Sequence, residues 1–413
     1  MMNNRVFNKA INLVFVCHRP AVWDALKSIF ESCLSDENFN LFIIAIPKKN
    51  PLPKLGYSHE IYETEGAEEF FKDFPCKVIN GYNYKTKEWF DLKSLNPDYI
   101  FFQQPYNCCL PNQYNSEKVS KYSKILYISY AANILGNGIL EDCSPIDFFK
   151  NISMIFTADK YYDKLIRTYL HTIKANPKVY LTGYPKYDDL EKYKNIDSNN
   201  WNLSRKDDVK RIVWTPRWCT NEGNCNFFEY KDKLLDYAEK NLDIDFIFRP
   251  HPQLFSELNT TGELPEKEAN EYKDRYEKLP NAKIDKQKEY LSTFYSSDFM
   301  ITDISSVIAD YFLTGKPIIY CHKKDYFNEF SRKLSEGFYW VHSWQELKNT
   351  IEMLKNGNDP LKEKRQEIIK NEFYIPNEKV GFTIKELIKK DFYTNQNIIN
   401  KFLRFIWRLY GKN

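Results

Sequence analysis

A chain of 413 residues is too long for one hydrophobic core and predicts two domains of about 200 residues each. Hydrophobic and charged fractions of 43% and 28% are those of an ordinary globular protein, which excludes a disordered chain. A net charge of +3 is too small to argue for nucleic acid, and none is expected as a partner.

Nine cysteines are scattered with no CxxC pair, the usage of a reduced compartment rather than of a disulfide framework or a zinc site. The first apolar run, Ile11 to Cys17, reads as a strand and not as a secretory leader. No window reaches the roughly 20 apolar residues that span a bilayer. The expected location is cytoplasmic, or peripheral on the cytoplasmic face of the cell membrane.

Taken in order, Ile11–Cys17 is followed at once by His18-Arg19-Pro20. Pro20 suits the first turn of a helix whose apolar face carries Val22, Trp23, Leu26, Ile29 and Phe30. Further strands are expected at Leu41–Ile46, Lys77–Ile79, Asp98–Gln103, Ile125–Ser129, Ser153–Thr157 and Lys178–Thr182, with helices at 67–73, 113–121 and 159–172. Continuous apolar strands alternating with helices predict a parallel sheet covered on both faces, an α/β fold. Ligands of such sheets bind outside the carboxyl ends of the strands, where His18 sits. Its pKa range suits a general base, against the plain alternative of a loop histidine with no role. This domain is expected to span 1–190, ending at Gly183-Tyr-Pro-Lys-Tyr-Asp188 before a polar, Asn-rich stretch.

The second domain, 205–375, opens on a strand at Arg211–Trp214, broken by Pro216, with Arg217 and Trp218 in the loop beyond. A helix at 227–240 leads to Ile244-Asp-Phe-Ile-Phe-Arg-Pro-His-Pro252, where two prolines stiffen a turn carrying Arg249 and His251. An arginine can clamp phosphate oxygens, and a histidine can donate to them or move a proton. A charged helix at 264–279, a strand at 282–285 and a helix at 289–296 precede Met300-Ile-Thr-Asp-Ile-Ser-Ser306, a strand end that runs into a helix. Thr302, Asp303, Ser305 and Ser306 form the turn, and Gly315 ends the helix before the strand Ile318–Tyr320. The two serines either cap the helix or offer donors to an anion at its positive end. Arg217, Arg249, His251 and the Thr302–Ser306 turn all fall at one edge of a parallel sheet, which points to a bound diphosphate. Neither a GxGxxG nor a GxxxxGK[ST] motif is present.

Trp214-Thr-Pro-Arg217, Phe248-Arg-Pro-His-Pro252, Thr302-Asp-Ile-Ser-Ser306 continuing to Gly315-Lys-Pro-Ile-Ile319, and more weakly Gly183–Asp188, resemble the CDP-glycerol glycerophosphotransferases that build teichoic-acid-like polymers. The resemblance covers about 180–320 well and the first 180 residues poorly. It implies a GT-B fold: two Rossmann-like, doubly wound domains facing a central cleft. It also implies no essential metal or other cofactor, with His251, Ser305 and Ser306 holding the pyrophosphate of a CDP-linked donor. The family's His-Gly-Thr-Pro segment, whose histidine looks like the acceptor's base, is absent. The matching region, Leu126-Tyr-Ile-Ser-Tyr-Ala-Ala-Asn133, contains no histidine. His18 is then the candidate base.

Helices at 343–356 and 360–371 close the second domain, and 376–413 form a C-terminal helical tail. In 395–413, Ile399, Phe402, Leu403, Ile406 and Tyr410 share one helical face and Lys401, Arg404, Arg408 and Lys412 another. Such a helix lies on an anionic membrane surface or packs back on the domains. The leading expectation is transfer of glycerol phosphate, or a related alditol phosphate, from a CDP-activated donor to a lipid-linked polymer or oligosaccharide. The alternative is a GT-B glycosyltransferase that uses a nucleotide sugar in capsule or lipopolysaccharide assembly. A third reading is a nucleotide-binding scaffold without activity.

Overall fold

The computed structural model describes every residue except 1–8, 50–61, 132–145, 205–208, 222, 224, 288, 325–326 and 395–413. The basic tail at 395–413 and Ala132-Asn133 therefore lie outside the described residues. The chain divides into two compact units, one ending at Asp188 and regaining the chain from Tyr374, the other spanning Asp189–Phe373.

The first unit is built on β1 (Ile11–Cys17), with α1 (Asp24–Leu34), β2 (Phe39–Ala45), β3 (Lys77–Asn80), β4 (Tyr99–Phe102), β5 (Lys124–Ile128), β6 (Ile152–Thr157), α2 (Lys160–Thr172) and β7 (Lys178–Leu181). The strands form one parallel sheet in the order β7-β6-β5-β4-β1-β2-β3. Its central strands bury side chains on both faces: Leu13 and Phe15 of β1 join one core, Val14 and Val16 the other. Such strands read as unbroken apolar runs because neither face meets water. Helix α1 lays Leu26, Ile29, Phe30 and Cys33 on the first core, where Trp23 and Phe30 meet Phe15 edge-on. From β1 the chain winds to β3 on one side and then returns to β4 on the other. The strand order thus reverses between β1 and β4.

The C-terminal segment belongs to this unit. A helix over 380–394 sets Val380, Ile384, Ile388 and Phe392 into the first core. Asp188 accepts hydrogen bonds from the amides of Val380 and Gly381 at 2.8 and 2.9 Å, capping that helix. At its far end Asp391 accepts from Tyr99, Lys124 and Lys178, three residues at or beside the amino ends of β4, β5 and β7. The Gly183–Asp188 stretch is therefore the seat of this helix, and Gly183, at φ +90°, packs against Pro376 and Val380.

The second unit contains β8 (Lys210–Thr215), α3 (Phe227–Lys240), β9 (Ile244–Phe248), α4 (Glu266–Glu277), β10 (Ala282–Ile284), β11 (Phe299–Thr302), α5 (Val307–Phe312), β12 (Ile318–Cys321), α6 (Glu329–Ser335), β13 (Phe338–Val341), α7 (Trp344–Lys355) and α8 (Lys362–Glu372). Its parallel sheet runs β10-β9-β8-β11-β12-β13, with the reversal between β8 and β11. Both sheets therefore share the doubly wound order of a Rossmann-like fold. Strand β13 and helix α6 have no counterpart in the sequence reading: a four-residue edge strand directly after Gly337 carries too short a pattern to register. The polar stretch before β8 is not slack linker. Trp201 donates to Ser296 at 2.8 Å and stacks on Arg211, while the Leu203 amide donates to Asp245 at 2.7 Å. Among the described residues no helix is long and apolar enough to cross a membrane.

Candidate functional site

In the second unit Trp214 of β8 pairs with Phe248 of β9 and Ile301 of β11, so the chain leaves these adjacent strands at one level. Strands about 4.8 Å apart then deliver three loops side by side at the carboxyl edge, spanning the strand-order reversal. The loop after β8 carries Arg217, that after β9 carries Arg249 and His251, and that after β11 carries Thr302–Ser306.

The groups meant to face an anion separate into two kinds. Thr302 and Asp303 are buried. The Thr302 hydroxyl donates back toward the Thr215 and Asp303 carbonyl oxygens and receives the Thr215 hydroxyl at 2.9 Å. Asp303 accepts the Arg217 amide at 2.5 Å and the Asn226 amide at 2.9 Å, pinning the loop after β8 across the reversal. Burial pushes its carboxyl up to about 7, opposed by those two donors. Thr302 and Asp303, expected at the diphosphate, are thus buried with their side-chain oxygens engaged by backbone and by the Thr215 hydroxyl, and they position the loop.

Ser305 and Ser306 behave differently. Ser306 is exposed and Ser305 half-buried, and α5 begins immediately after them. Ser306 occupies the N-cap position, yet its side chain makes no capping bond. Neither hydroxyl has a hydrogen-bond partner among the described residues. Plain helix capping does not account for these serines, and two hydroxyls stand at the positive end of a short helix.

His251 is exposed, and its Nδ1 accepts the Gln253 amide at 3.2 Å. An Nδ1 that accepts leaves the proton of the neutral ring on Nε2, an assignment that rests on this bond. The two prolines around it fix the turn that makes the bond. The Trp218 ring lies 5.9 Å from the His251 ring and 5.9 Å from the Arg217 guanidinium, so one indole braces both. Arg249 is held more tightly than the sequence implied. It forms an ion pair with the buried Asp285, donates to the Gln287 carbonyl at 3.0 Å and lies over Tyr290. Its guanidinium is largely committed to the loop after β10. Farther along the carboxyl edge, His322 after β12 and His342 after β13 have rings 5.0 Å apart, polar groups the sequence reading passed over.

In the first unit His18 stands at the corresponding reversal, directly after β1, and it is 1% exposed. Its Nε2 pairs with Gln104 Oε1 at 2.9 Å, and burial lowers its pKa to about 4. The side-chain oxygen of Gln103, the first residue past β4, accepts the His18 and Arg19 amides at 2.8 Å each. The structure thus sets His18 inside the protein, with one ring nitrogen engaged. The candidate base of the sequence is thus a buried imidazole whose pKa lies below the ordinary histidine value. Signals for the pinning were present in the sequence: Gln103 and Asp303 each immediately follow the fourth strand of their sheet. In the region matching the missing His-Gly-Thr-Pro segment, the Ser129 hydroxyl donates to the Ala131 carbonyl at 2.7 Å, and the Tyr130 and Tyr106 hydroxyls lie 3.4 Å apart.

The chain is 27% identical over 182 residues to the minor teichoic acid biosynthesis protein GgaB of Bacillus subtilis (strain 168), covering 41% of this chain but only 18% of that relative. Its fold matches the wall teichoic acid polymerase TagF at a TM-score of 0.58 and 16% identity, over 96% of this chain and 92% of that one. A TagF variant soaked with CDPG matches at a TM-score of 0.61 and 16% identity, over 94% and 91% of the two chains. A putative UDP-N-acetylglucosamine 2-epimerase from Listeria monocytogenes matches at 0.57 and 11% identity, over 93% and 97%. The fold class is thus the GT-B type expected. The model of the CDP-glycerol:poly(glycerophosphate) glycerophosphotransferase family matches residues 147–368, more than half of the chain, and takes in Arg217, Arg249, His251, Ser305 and Ser306. This chain belongs to the CDP-glycerol:poly(glycerophosphate) glycerophosphotransferase family.

Proposed function

We propose that the protein transfers glycerol phosphate, or a closely related alditol phosphate, from a CDP-linked donor to a growing cell-surface polymer. The observation that carries this reading is the Ser305-Ser306 turn. Two hydroxyls with no partner among the described residues open a helix on the same sheet edge as the exposed His251, inside the family-matched region. In the reaction an acceptor hydroxyl attacks the phosphorus that bears the glycerol. The bond from that phosphorus to the bridging oxygen breaks, CMP leaves with the oxygen, and the hydroxyl proton is lost to a base. Charge grows on the leaving phosphate, and fixed donors aimed at it are the chief requirement of phosphoryl transfer. Ser305, Ser306 and the Nε2–H of His251 supply such donors, with Arg217 braced nearby by Trp218. Arg249 contributes through the position of the turn, given its pairing with Asp285.

No metal or organic cofactor is assigned to the reaction. The acceptor is proposed to be lipid-linked and the protein to work at the cytoplasmic face of the membrane. The test is incubation of the purified chain with CDP-glycerol and a lipid-linked acceptor. Release of CMP coupled to polymer growth is the expected result. Release of a nucleoside diphosphate from a nucleotide sugar, with none from CDP-glycerol, would replace this reading with the glycosyltransferase alternative.

A further inference from the structure

The first unit carries a second feature that the donor site does not use. Directly after β3, Gly81 donates to the carbonyl of Ala45, and a two-stranded hairpin of Tyr82–Asn83 and Glu88–Trp89 rises from the carboxyl edge of the sheet. Its aromatic rings form a continuous run. Tyr84, 51% exposed, lies 5.0 Å from Tyr82; Tyr82 lies 4.5 Å from Trp89; and Trp89 lies 5.7 Å from Tyr114. From Trp89 the run opens into a cavity of about 510 Å³.

Lys93, Lys118 and Lys121, all exposed, line this cavity with Trp89, Tyr114 and Tyr122. The Lys93 ammonium stands 5.4 Å above the Tyr122 ring. Lys118 donates to a neutral amide, Asn112, at 2.9 Å, and Lys121 reaches Glu117 at 3.4 Å. Asp91 is the acid in the lining, and one of its oxygens already accepts the Lys93 amide at 3.1 Å. Positive charge therefore exceeds negative charge in the cavity. Tyr122 lies just before β5 begins, so the track runs from the carboxyl edge of the sheet toward its amino edge.

We propose that this track, from Tyr84 through Trp89 to the cavity of Lys93, Lys118 and Lys121, holds a phosphodiester polymer whose repeats carry sugar or polyol units. Flat aromatic faces suit the C–H surfaces of sugars and polyols, while lysine ammonium groups answer phosphodiesters without demanding one geometry. Aromatic rings recur along the path, and the three lysines cluster at its cavity end, where they can meet successive phosphodiesters of a repeating ligand. A start at the carboxyl edge lets a growing chain lead away from the edge where GT-B sheets take their ligands. The identity of the polymer rests on the transferase reading above; affinity of the track for such a polyanion does not.

The experiment is direct titration of the full chain with a soluble oligo(glycerol phosphate), followed calorimetrically at low and at moderate salt. Binding is expected, weakening as salt rises. The double substitution Lys93→Glu and Lys121→Glu, at exposed positions that leave the core untouched, is expected to lower affinity at least about tenfold. Trp89→Ala is expected to lower it as well, with Trp89→Phe restoring most of the loss. Unchanged affinity in the lysine variant overturns the proposal. So does equal binding of single-stranded RNA, or binding only of phosphatidylglycerol vesicles. Polymer binding in a protein that releases no CMP from CDP-glycerol would leave the track standing and remove the transferase reading. CMP release without salt-sensitive polymer binding would do the reverse.

Discussion

The two strand-order reversals of this protein are built alike and finished differently. In each sheet the residue just past the fourth strand reaches across to hold the turn after the first: Gln103 holds the amides of His18 and Arg19, and Asp303 holds those of Arg217 and Asn226. In the first unit this closes over a buried histidine. In the second it leaves Ser306 and His251 facing water. The position of a polar residue at a strand end sets where a ligand could bind, and burial decides whether that residue can reach it.

The largest difference between the two histidines is expected in turnover. His251→Ala is expected to lower kcat/KM for the CDP-linked donor by about 100-fold or more, the cost of one donor to developing charge, with little change in folding. His18→Ala should show the opposite pattern, a clear loss of stability from the cavity and the unpaired Gln104. Steady-state kinetics beside denaturant unfolding separate the two; equal kinetic losses would return His18 to the chemistry.

Stability of the pins comes next. Above pH 7, where the Asp303 carboxyl is ionised and its bonds are charge-assisted, Asp303→Ala strands the Arg217 and Asn226 amides and is expected to cost about 2–4 kcal/mol, more than Gln103→Ala. Urea unfolding of both variants checks the order.

The two units should also answer pH with opposite signs. His18 has its folded pKa near 4, below the ordinary histidine value, so its contribution is complete above the unfolded pKa. That contribution falls as pH drops from about 6.5 toward 4, by about 3 kcal/mol at most. Asp303 has its folded pKa near 7, above the ordinary carboxyl value. The folded state then keeps a proton that the unfolded chain gives up, and stability falls as pH rises from about 4 to 7. Unfolding curves of His18→Gln and Asp303→Asn across this range should each lose the corresponding slope. A wild-type-like slope in either variant would remove that group as the cause.

The smallest effect concerns the serines. Replacing both Ser305 and Ser306 with Ala is expected to raise KM for the donor about tenfold while changing stability by less than the roughly 1 kcal/mol of a lost cap. Thermal unfolding sets the second number; a full capping loss would show that the hydroxyls serve the helix.

Much of the architecture was legible in the residues. Runs such as Ile11–Cys17 and Ile244–Phe248 are apolar without alternation, and only a strand covered on both faces needs that pattern. The turn Arg249-Pro-His-Pro252 was legible too, since proline restrains the backbone locally. The site was legible as a set of positions but not as a set of roles. Asp303 and Ser306 are three residues apart in one polar turn, yet one is sealed under the loop after β8 and the other is open. Gly183–Asp188 carried a motif whose use depends on a helix nearly 200 residues later.

The sequence by itself determined the two parallel sheets, the strand ends that carry polar residues and the family, because periodicity, prolines and ordered motifs act over a few residues. Only the tertiary structure decided which polar groups are covered and which stand at the surface. It buried His18, tied Arg249 to Asp285, committed Asp303 to backbone and left Ser305, Ser306 and His251 at the edge. Exposure depends on what a neighbouring strand or a distant segment lays over a group, and strand order and packing are not local properties of the chain.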